Sequence, residues 1–510
     1  MVFRLGLNFP AGQNQPPANA QAPNGQAPQG APPRNQDGNG LPVITENITL
    51  KGEHTTIGRE ATADYFRILN VGAGGRLTLK GLSIRGGQTL QSPITADPAT
   101  VWAPYSTVVR STATKPPVTA APGAKPAAAT APGAKPAAAT TAAKPAAPAA
   151  KPAAAEPAAK AEPAAKAAAA KAPAAATKAA PAAATKATPT TTKAAAKPAA
   201  APTTAKPIAA AGPAVSPLVE QPGFRDGAGV LVQPGGRAEI LDSELLYNQA
   251  GGNGGGLANF GNTRLSKTTV AHNTAFLFGG GIFNAGVLQV DESKIKDNTG
   301  IIGGGGISNG AAEIFTDDVD GGSVWVYKSE VTDNETLGFG GGVLDVEGTT
   351  TLHQTTVSDN TAVLDGGGVA VADSQLTLKD ATVAKNSAAR DGGGVFVTSD
   401  SVATIENSKI KDNTAGFSGA GLFNDDSVTT LRDSEVVGNR AVGPFGRGGG
   451  IVNTEGSEVR LHRTTVAHNF STLEPGGIFN SLGGTVTLDD KSAVTANRPT
   501  NCFNVLDCFA

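Results

Sequence analysis

The chain has 510 residues, a formal net charge of −2, 65 glycines and only 5% aromatic residues. So few large side chains exclude a wide globular core, and the small net charge indicates no particular partner. The charge is unevenly distributed, however, because residues 115–206 carry 13 lysines and two glutamates, a local charge of +11 that leaves −13 for the remainder.

The first 40 residues are rich in Gln, Pro, Asn, Ala and Gly, a composition typical of disorder. Their start, MVFRLGLNFP, contains one arginine and a short apolar run that ends at Pro10, which does not fit a secretory signal peptide. The sequence contains no stretch of about 18 apolar residues, so we expect no transmembrane helix.

Short β-like runs fill residues 41–92, and similar runs return from residue 223 onward. Between them, residues 93–222 consist largely of Ala, Pro and Lys, with prolines too frequent for a continuous helix and nothing to form a core. The sequence therefore predicts a disordered segment 1–40, first β-coils in 41–92, a disordered low-complexity insertion in 93–222, and a main β-domain 223–510 with a C-terminal cap.

The main β-domain repeats one motif, Ser/Thr/Ala-x-Val/Ile/Leu-x-x-Asn, ten times. Successive copies lie 25 to 36 residues apart, and a glycine cluster such as GGGIFN follows most of them. A stretch of alternating apolar and polar residues precedes the motif, as in VLQVD. The repeated asparagines are Asn248, Asn273, Asn298, Asn334, Asn360, Asn386, Asn413, Asn439, Asn469 and Asn497.

Three short strands and three turns in about 25 residues predict one coil of a parallel β-solenoid. The main alternative, a β-propeller, needs about 40 residues for each blade. We therefore expect an all-β solenoid of about 12 coils, interrupted by the insertion.

Each repeated residue type has a structural role in such a solenoid. Glycine permits tight corners where a Cβ would collide with a neighbouring coil. We expect the motif asparagines to point inward and to form hydrogen bonds from coil to coil, as polar ladders do in stacked β-structures. Leu288, Val290 and Ile295 should form aliphatic stacks with their equivalents in other coils.

The string TVAHNTAFLFGGGIFN carries Asn273 and three consecutive glycines. It resembles the repeat of bacterial polymorphic outer-membrane proteins, which pairs Phe-x-x-Asn with Gly-Gly-Ala-Ile, although Val270 stands where that family often has phenylalanine. The resemblance covers residues 41–92 and 223–501, and it implies a right-handed parallel β-helix. Because this fold hosts lyases, hydrolases, adhesins and tailspikes alike, the resemblance does not fix a function.

The sequence contains no nucleophile elbow and no phosphate-binding loop, and we identify no catalytic or cofactor-binding residue. Three aspartate pairs, which include Asp425-Asp426, fall at predicted turns, where aspartate is common for backbone reasons. The best candidates for a metal are Asp317, Asp318 and Asp320 in TDDVDGG, because calcium prefers clustered oxygens near a glycine turn. A solvated loop is the alternative interpretation.

The two cysteines, Cys502 and Cys508, lie in the last nine residues. A disulfide between them would fasten the C-terminus and would indicate an oxidising compartment. Two ordinary thiols are the alternative.

Together these features favour a non-enzymatic bacterial scaffold, secreted or on the cell surface, that serves adhesion or assembly by binding polysaccharide or other cell-surface molecules. The alternative is a polysaccharide-binding or polysaccharide-degrading protein, a lyase or glycoside hydrolase of the pectate-lyase-like fold. An enzyme should gather acidic, basic and aromatic residues in one groove on adjacent coils, whereas a scaffold should scatter them. For the lysines of the insertion, a solvated spacer is the first interpretation and binding to nucleic acid or another polyanion the second.

Overall fold

A computed structural model describes the backbone of Val2–Leu5 and, in addition, residues 38–61, 63, 65–90, 222–311 and 319–508. Within these residues the chain forms strands and turns but no helix, and the strands stack as a parallel β-solenoid of about twelve coils. The expected fold class is therefore confirmed. All of the described residues belong to one compact unit.

The largest sheet of the described residues has 23 strands, to which a complete coil contributes two. Its strands are Val2–Leu5, Asn47–Arg59, Arg76–Arg85, Arg237–Leu241, Glu244–Leu246, Asn262–Ser266, Thr269–Ala271, Val287–Asp291, Lys294–Lys296, Ser323–Tyr327, Glu330–Thr332, Thr349–His353, Thr356–Ser358, Gln375–Lys379, Thr382–Ala384, Val402–Glu406, Lys409–Lys411, Val428–Arg432, Glu435–Val437, Glu458–His462, Thr465–Ala467, Thr485–Leu488 and Ala493–Thr495.

Two further sheets complete the coils within the same residues, one of 12 strands and one of 9. The 12-stranded sheet contains Leu69–Val71, Val230–Val232, Leu257–Asn259, Ile282–Asn284, Ile307–Asn309, Val343–Val346, Val369–Ala372, Val395–Thr398, Leu422–Asn424, Ile451–Asn453, Ile478–Asn480 and Cys502–Phe503. The 9-stranded sheet contains Gln249–Ala250, Thr274–Ala275, Thr299–Gly300, Glu335–Thr336, Thr361–Ala362, Ser387–Ala388, Thr414–Ala415, Arg440–Ala441 and Phe470–Ser471.

A complete coil thus has four strands, where the sequence predicted three. The additional strand is the two-residue one after the motif asparagine, such as Thr299–Gly300. The first two strands of a coil are separated by a bend, for example at Glu292, whose φ of 47° is incompatible with a continuous strand. The next residue, Ser293, fixes this bend because its hydroxyl donates to the Asp291 carbonyl at 2.7 Å and accepts the Thr268 N–H of the preceding coil at 3.0 Å.

The coils on the two sides of the insertion stack directly on each other. Arg76–Arg85 pairs in parallel with Arg237–Leu241 and with Glu244–Leu246. The insertion itself, predicted in residues 93–222, lies outside the described residues apart from Pro222.

The N-terminal segment 1–40 contains structure that its composition did not predict. Val2–Leu5 pairs in parallel with the end of Asn47–Arg59, and Asn39 forms a bridge with Arg67. The predicted disorder of residues 6–37 concerns residues that the structure does not describe.

The core inside the coils is aliphatic, with only Ile, Leu, Val and Ala among its buried members. Leu288, Val290 and Ile295 are each at most 1% exposed, as their alternation with polar neighbours predicted. A coil this narrow is filled by medium-sized side chains, so the low aromatic content of the sequence is sufficient for its core.

The ten motif asparagines form one column of hydrogen bonds. The Asn273 Nδ2 donates to the Asn298 Oδ1 at 3.0 Å and to the Leu245 carbonyl at 2.9 Å. Its Oδ1 accepts from the backbone N and the Nδ2 of Asn248, both at 3.0 Å. The side-chain amide therefore uses both donors and both acceptor positions, which explains why asparagine recurs at a buried site.

The glycine clusters bring the backbones of adjacent coils into contact. Gly279 has a φ of 68°, a left-handed conformation that other residues rarely adopt. A Cβ on Gly280 would lie only 2.3 Å from the Thr299 carbonyl carbon of the next coil. The first glycine of a cluster thus serves a turn, and the second allows close stacking.

Candidate binding faces

The predicted metal residues do not form a site in the described residues. Asp317 and Asp318 lie outside them, and Asp320 is exposed. Elsewhere in the described ranges, no group of three or more His, Cys, Asp or Glu side chains is placed to hold a metal ion. Calcium binding by TDDVDGG therefore stays a prediction.

The cysteines are joined. Cys502 and Cys508 form a disulfide with Cα atoms 6.2 Å apart, and Cys502–Phe503 pairs with Ile478–Asn480 as the last strand of its sheet. The disulfide thus closes a small loop on the final coil.

A row of apolar side chains lies on the outer face of the 12-stranded sheet, which we call the phenylalanine column. Each member alternates with residues that enter the aliphatic core, so its side chain points away from that core. Parallel pairing places the members in register on five successive coils. They are Phe396, Phe423, Val452, Phe479 and Phe503.

The rings of the phenylalanine column stack in pairs. The centroids of Phe396 and Phe423 are 5.4 Å apart, and those of Phe479 and Phe503 are 5.3 Å apart. Phe503 is 48% exposed, the other three rings are partly exposed, and Val452 between the two ring pairs is buried at 4%. In an earlier coil the equivalent Phe283 is fully buried, so the accessible rings of the column are the two separate pairs in the C-terminal coils.

Hydrogen-bonding side chains follow one side of the phenylalanine column. Thr398, Asp425 and Thr454 are in register on three coils, at or just after the ends of the strands that carry the column. The Asp425 carboxylate accepts the Thr454 hydroxyl at 2.7 Å and the Thr398 hydroxyl at 3.2 Å. This row therefore presents a carboxylate held between two threonines.

A second polar row precedes the glycine clusters on the other side and contains Asp365, Asp391, Ser418 and Arg447. The Arg447 guanidinium lies over the Phe479 ring, 5.3 Å from its centroid. Arg447 of this row therefore reaches over the phenylalanine column.

In the two aspartates of this row, neighbouring groups offset only part of the pKa increase that burial causes. Burial raises the pKa of Asp391 to about 6. The hydrogen bond from the Ser418 N–H lowers this pKa, whereas the negative charges of Asp365 and Asp425 raise it further. Burial also raises the pKa of Asp365, opposed by the Asp391 N–H and by Arg390, whose Nη2 is 3.5 Å from the Asp365 carboxylate. A carboxyl group with a pKa near 6 can exchange a proton close to neutral pH.

These aspartates also have a structural role. The Asp365 Oδ1 accepts the Asp391 N–H at 2.9 Å, and the Asp391 Oδ1 accepts the Ser418 N–H at 2.7 Å. In an earlier coil, Asn253 does the same with its amide oxygen, which accepts the Phe278 N–H at 3.1 Å. Because asparagine suffices for the turn, the carboxylates add charge to this face beyond what the turn requires.

A second face lies on the outside of the 23-stranded sheet, where Trp325 borders a shallow hollow of about 360 Å³. The Trp325 ring is edge-on to the His353 ring at 6.3 Å, and the Tyr327 ring lies 5.2 Å from the same histidine. The His353 Nε2 is 3.1 Å from the Asp380 Oδ2. These contacts gather three aromatic rings on two adjacent strands.

Sequence reasoning identified parts of these faces without assembling them. The sequence assigns Asp425 to a turn and the phenylalanines to the repeated GGIFN-type strings, and it does not place them beside each other. The sequence does contain one indication of the phenylalanine column. Phenylalanine recurs at the middle position of those strings, and the alternation of side chains along a strand places that position outside the core.

Within the described residues, no helix is long and apolar enough to span a membrane. No known protein family, curated protein or solved structure matches this chain. The resemblance to polymorphic outer-membrane repeats therefore rests on the repeat motif alone, and the structure shows a parallel β-solenoid.

Proposed function

We propose that this chain is a non-enzymatic scaffold, secreted or on the cell surface, that adheres to polysaccharide through the phenylalanine column. The observation that carries the proposal is the row of four phenylalanines and one valine on successive coils, flanked on both sides by hydrogen-bonding side chains.

The chemistry of a linear polysaccharide fits such a face. Each sugar ring has an apolar face of C–H groups, which packs on aromatic rings, and a rim of hydroxyl groups, which need hydrogen-bond partners. The phenylalanine column supplies two pairs of rings, each pair on adjacent coils and separated from the other by the buried Val452, and the rows of Asp391 and Asp425 supply acceptors. Many weak contacts along one polymer would add up to firm adhesion.

The disulfide supports the proposed location. Cys502 and Cys508 are joined, and disulfides persist mainly in secreted, periplasmic and cell-surface proteins.

A hydrolase is the second candidate, and one observation favours it. Asp391, whose pKa is raised to about 6, lies beside the phenylalanine column and feels the charges of Asp365 and Asp425. Glycoside hydrolases pair a carboxyl group of raised pKa with a second, ionised carboxylate. Acidic and aromatic residues do gather here on adjacent coils, which is the arrangement expected of an enzyme.

Sedimentation with insoluble cellulose, chitin and xylan tests binding. We expect the full chain to co-sediment with at least one of them, and Phe423→Ala to weaken that binding roughly fivefold to tenfold because it removes one stacking ring. Phe276→Ala is the matched control, since Phe276 is a 42% exposed phenylalanine outside the column. Equal binding by both variants and the wild type would exclude the phenylalanine column as the binding face.

An assay for new reducing ends separates the two candidates. The scaffold proposal predicts none with the wild type. Release of reducing ends by the wild type that is abolished in Asp391→Asn, with binding retained, would establish the hydrolase instead.

A further inference from the structure

The hollow beside Trp325 lies on a different sheet from the phenylalanine column. Parallel pairing places Trp325 directly opposite Gln289 on one side and Thr351 on the other. The next column of the same strands contributes Val287, Ser323 and Thr349. The hollow therefore spans three successive coils.

Trp325 forms the wall of this hollow. Trp325 is 47% exposed. Because both of its cross-strand neighbours are smaller residues, the indole stands above the sheet. The edge-on contact with His353, whose Nε2 is 3.1 Å from the Asp380 carboxylate, supports the indole from the neighbouring coil. Val287, which is 50% exposed, adds an apolar surface to the hollow.

The polar groups of the hollow are neutral. Every residue that lines it is uncharged. The Gln289 Nε2 donates to the Asp291 carboxylate at 3.0 Å, which holds the amide and leaves its Oε1 as an acceptor. The hydroxyl groups of Ser323, Thr349 and Thr351 can each donate and accept.

We propose that this hollow binds a single neutral sugar residue. A sugar ring presents an apolar C–H face, which the indole matches, and a rim of hydroxyl groups, which the amide and hydroxyl side chains match. A uronate or an amino sugar would bring a charge to a lining that contains no opposite charge, so a neutral ring is preferred. For one ring in a shallow site, the expected Kd is on the order of 1–10 mM.

Tryptophan fluorescence tests the proposal directly, because the chain has only two tryptophans. In the full chain with Trp102→Phe, Trp325 is the sole indole, so its emission reports on the hollow. We expect neutral methyl glycosides of glucose, galactose or mannose to shift this emission in a saturable manner at millimolar concentration. Glucuronate should bind at least threefold more weakly than the corresponding neutral glycoside.

A pair of threonine variants localises the effect. Thr351→Val keeps the shape but removes a hydroxyl of the hollow, and it should weaken sugar binding at least threefold. Thr377→Val is the matched control because Thr377 is the partner of Thr351 on the next coil and does not line the hollow. Circular dichroism should show both variants folded.

Four results would overturn the proposal. The first is no saturable shift with any neutral glycoside, and the second is glucuronate binding as tightly as the neutral glycoside. The third is an equal loss of sugar binding in Thr351→Val and Thr377→Val. The fourth is a Trp325 emission that changes with protein concentration alone, which would indicate self-association through this face. Phe423→Ala should leave the titration unchanged, so failure of the polysaccharide proposal and failure of this one are distinguishable.

Discussion

At the scale of single residues, Asp345 is the side chain least matched to its surroundings. A second amide ladder, which the sequence did not lead us to expect, runs from Asn259 through Asn284 and Asn309 to Asp345, with contacts of 2.7, 2.7 and 2.8 Å. The position equivalent to Asp345 in the next coil is Val371, so the ladder stops there. Among the described residues, the Asp345 Oδ2 and the Thr350 Oγ1 are two of three buried side-chain atoms without a hydrogen-bond partner.

This environment makes the ionisation of Asp345 unfavourable. Burial raises the pKa of Asp345 from its ordinary value of 3.8 to about 7, partly offset by the polar side chains of Thr350, Asn309 and Ser374. The folded protein therefore binds this proton more tightly than the unfolded chain does. The resulting stability is fully present below pH 3.8 and is lost as the pH rises through about 7.

We predict that Asp345→Asn stabilises the protein more at pH 8 than at pH 5, because at pH 5, between the unfolded and folded pKa values, the penalty is only partly present. The asparagine would continue the ladder without a charge, so the expected gain at pH 8 is about 1–3 kcal/mol in the free energy of unfolding. Denaturant unfolding at both pH values measures this difference. Asn284→Asp should show the opposite pH dependence, and an Asp345→Asn effect of equal size at both pH values would contradict the prediction.

At the scale of the structural element, the glycine turns determine how closely the coils stack. A Cβ on Gly280 would meet the next coil at 2.3 Å, whereas Gly74 has a φ of 78° and nothing within 4 Å of a Cβ. The two glycines therefore separate the cost of a steric clash from the cost of a left-handed backbone.

We predict that Gly280→Ala costs about 2–4 kcal/mol of unfolding free energy, because the backbone of the adjacent coil must move. Gly74→Ala should cost only about 1 kcal/mol, the penalty of a left-handed conformation for alanine. Chemical denaturation of both variants gives the comparison. Similar losses would mean that conformation, and not close stacking, selects glycine in the clusters.

At the scale of the whole molecule, each coil of a solenoid is held by pairing with the coils next to it. Within the described residues, the strand Cys502–Phe503 pairs with Ile478–Asn480 and with no further strand. The disulfide from Cys502 to Cys508 closes the short loop that follows this strand.

We predict that replacing both cysteines by serine loosens the last coil and leaves the central coils intact. The expected local loss is about 2 kcal/mol, from the loop-closure entropy of so short a loop. Hydrogen exchange should rise in Ile478–Asn480 but stay unchanged in Val343–Val346. A comparable rise in the central strand would show that the disulfide supports the entire solenoid.

Much of the fold could be predicted because it depends on features that recur along the chain. The spacing of Asn273 and its equivalents sets the coil length, the glycine clusters mark the corners, and the alternation around Leu288 and Val290 identifies the buried side. The fourth strand of each coil was not predicted because a two-residue strand such as Thr299–Gly300 is too short for any alternation of apolar and polar residues to show.

By itself, the sequence determined that the chain coils repeatedly, which residues enter the core, and that asparagine and glycine recur at fixed positions. Only the tertiary structure decided that Phe423 stacks on Phe396, that Asp391 feels the charge of Asp425 on the next coil, that Trp325 stands above a neutral hollow, and that Asp345 is buried where its ladder ends. The physical reason is that coil length and inward direction follow from local periodicity. Exposure and ionisation, in contrast, depend on which side chains the neighbouring coils place alongside.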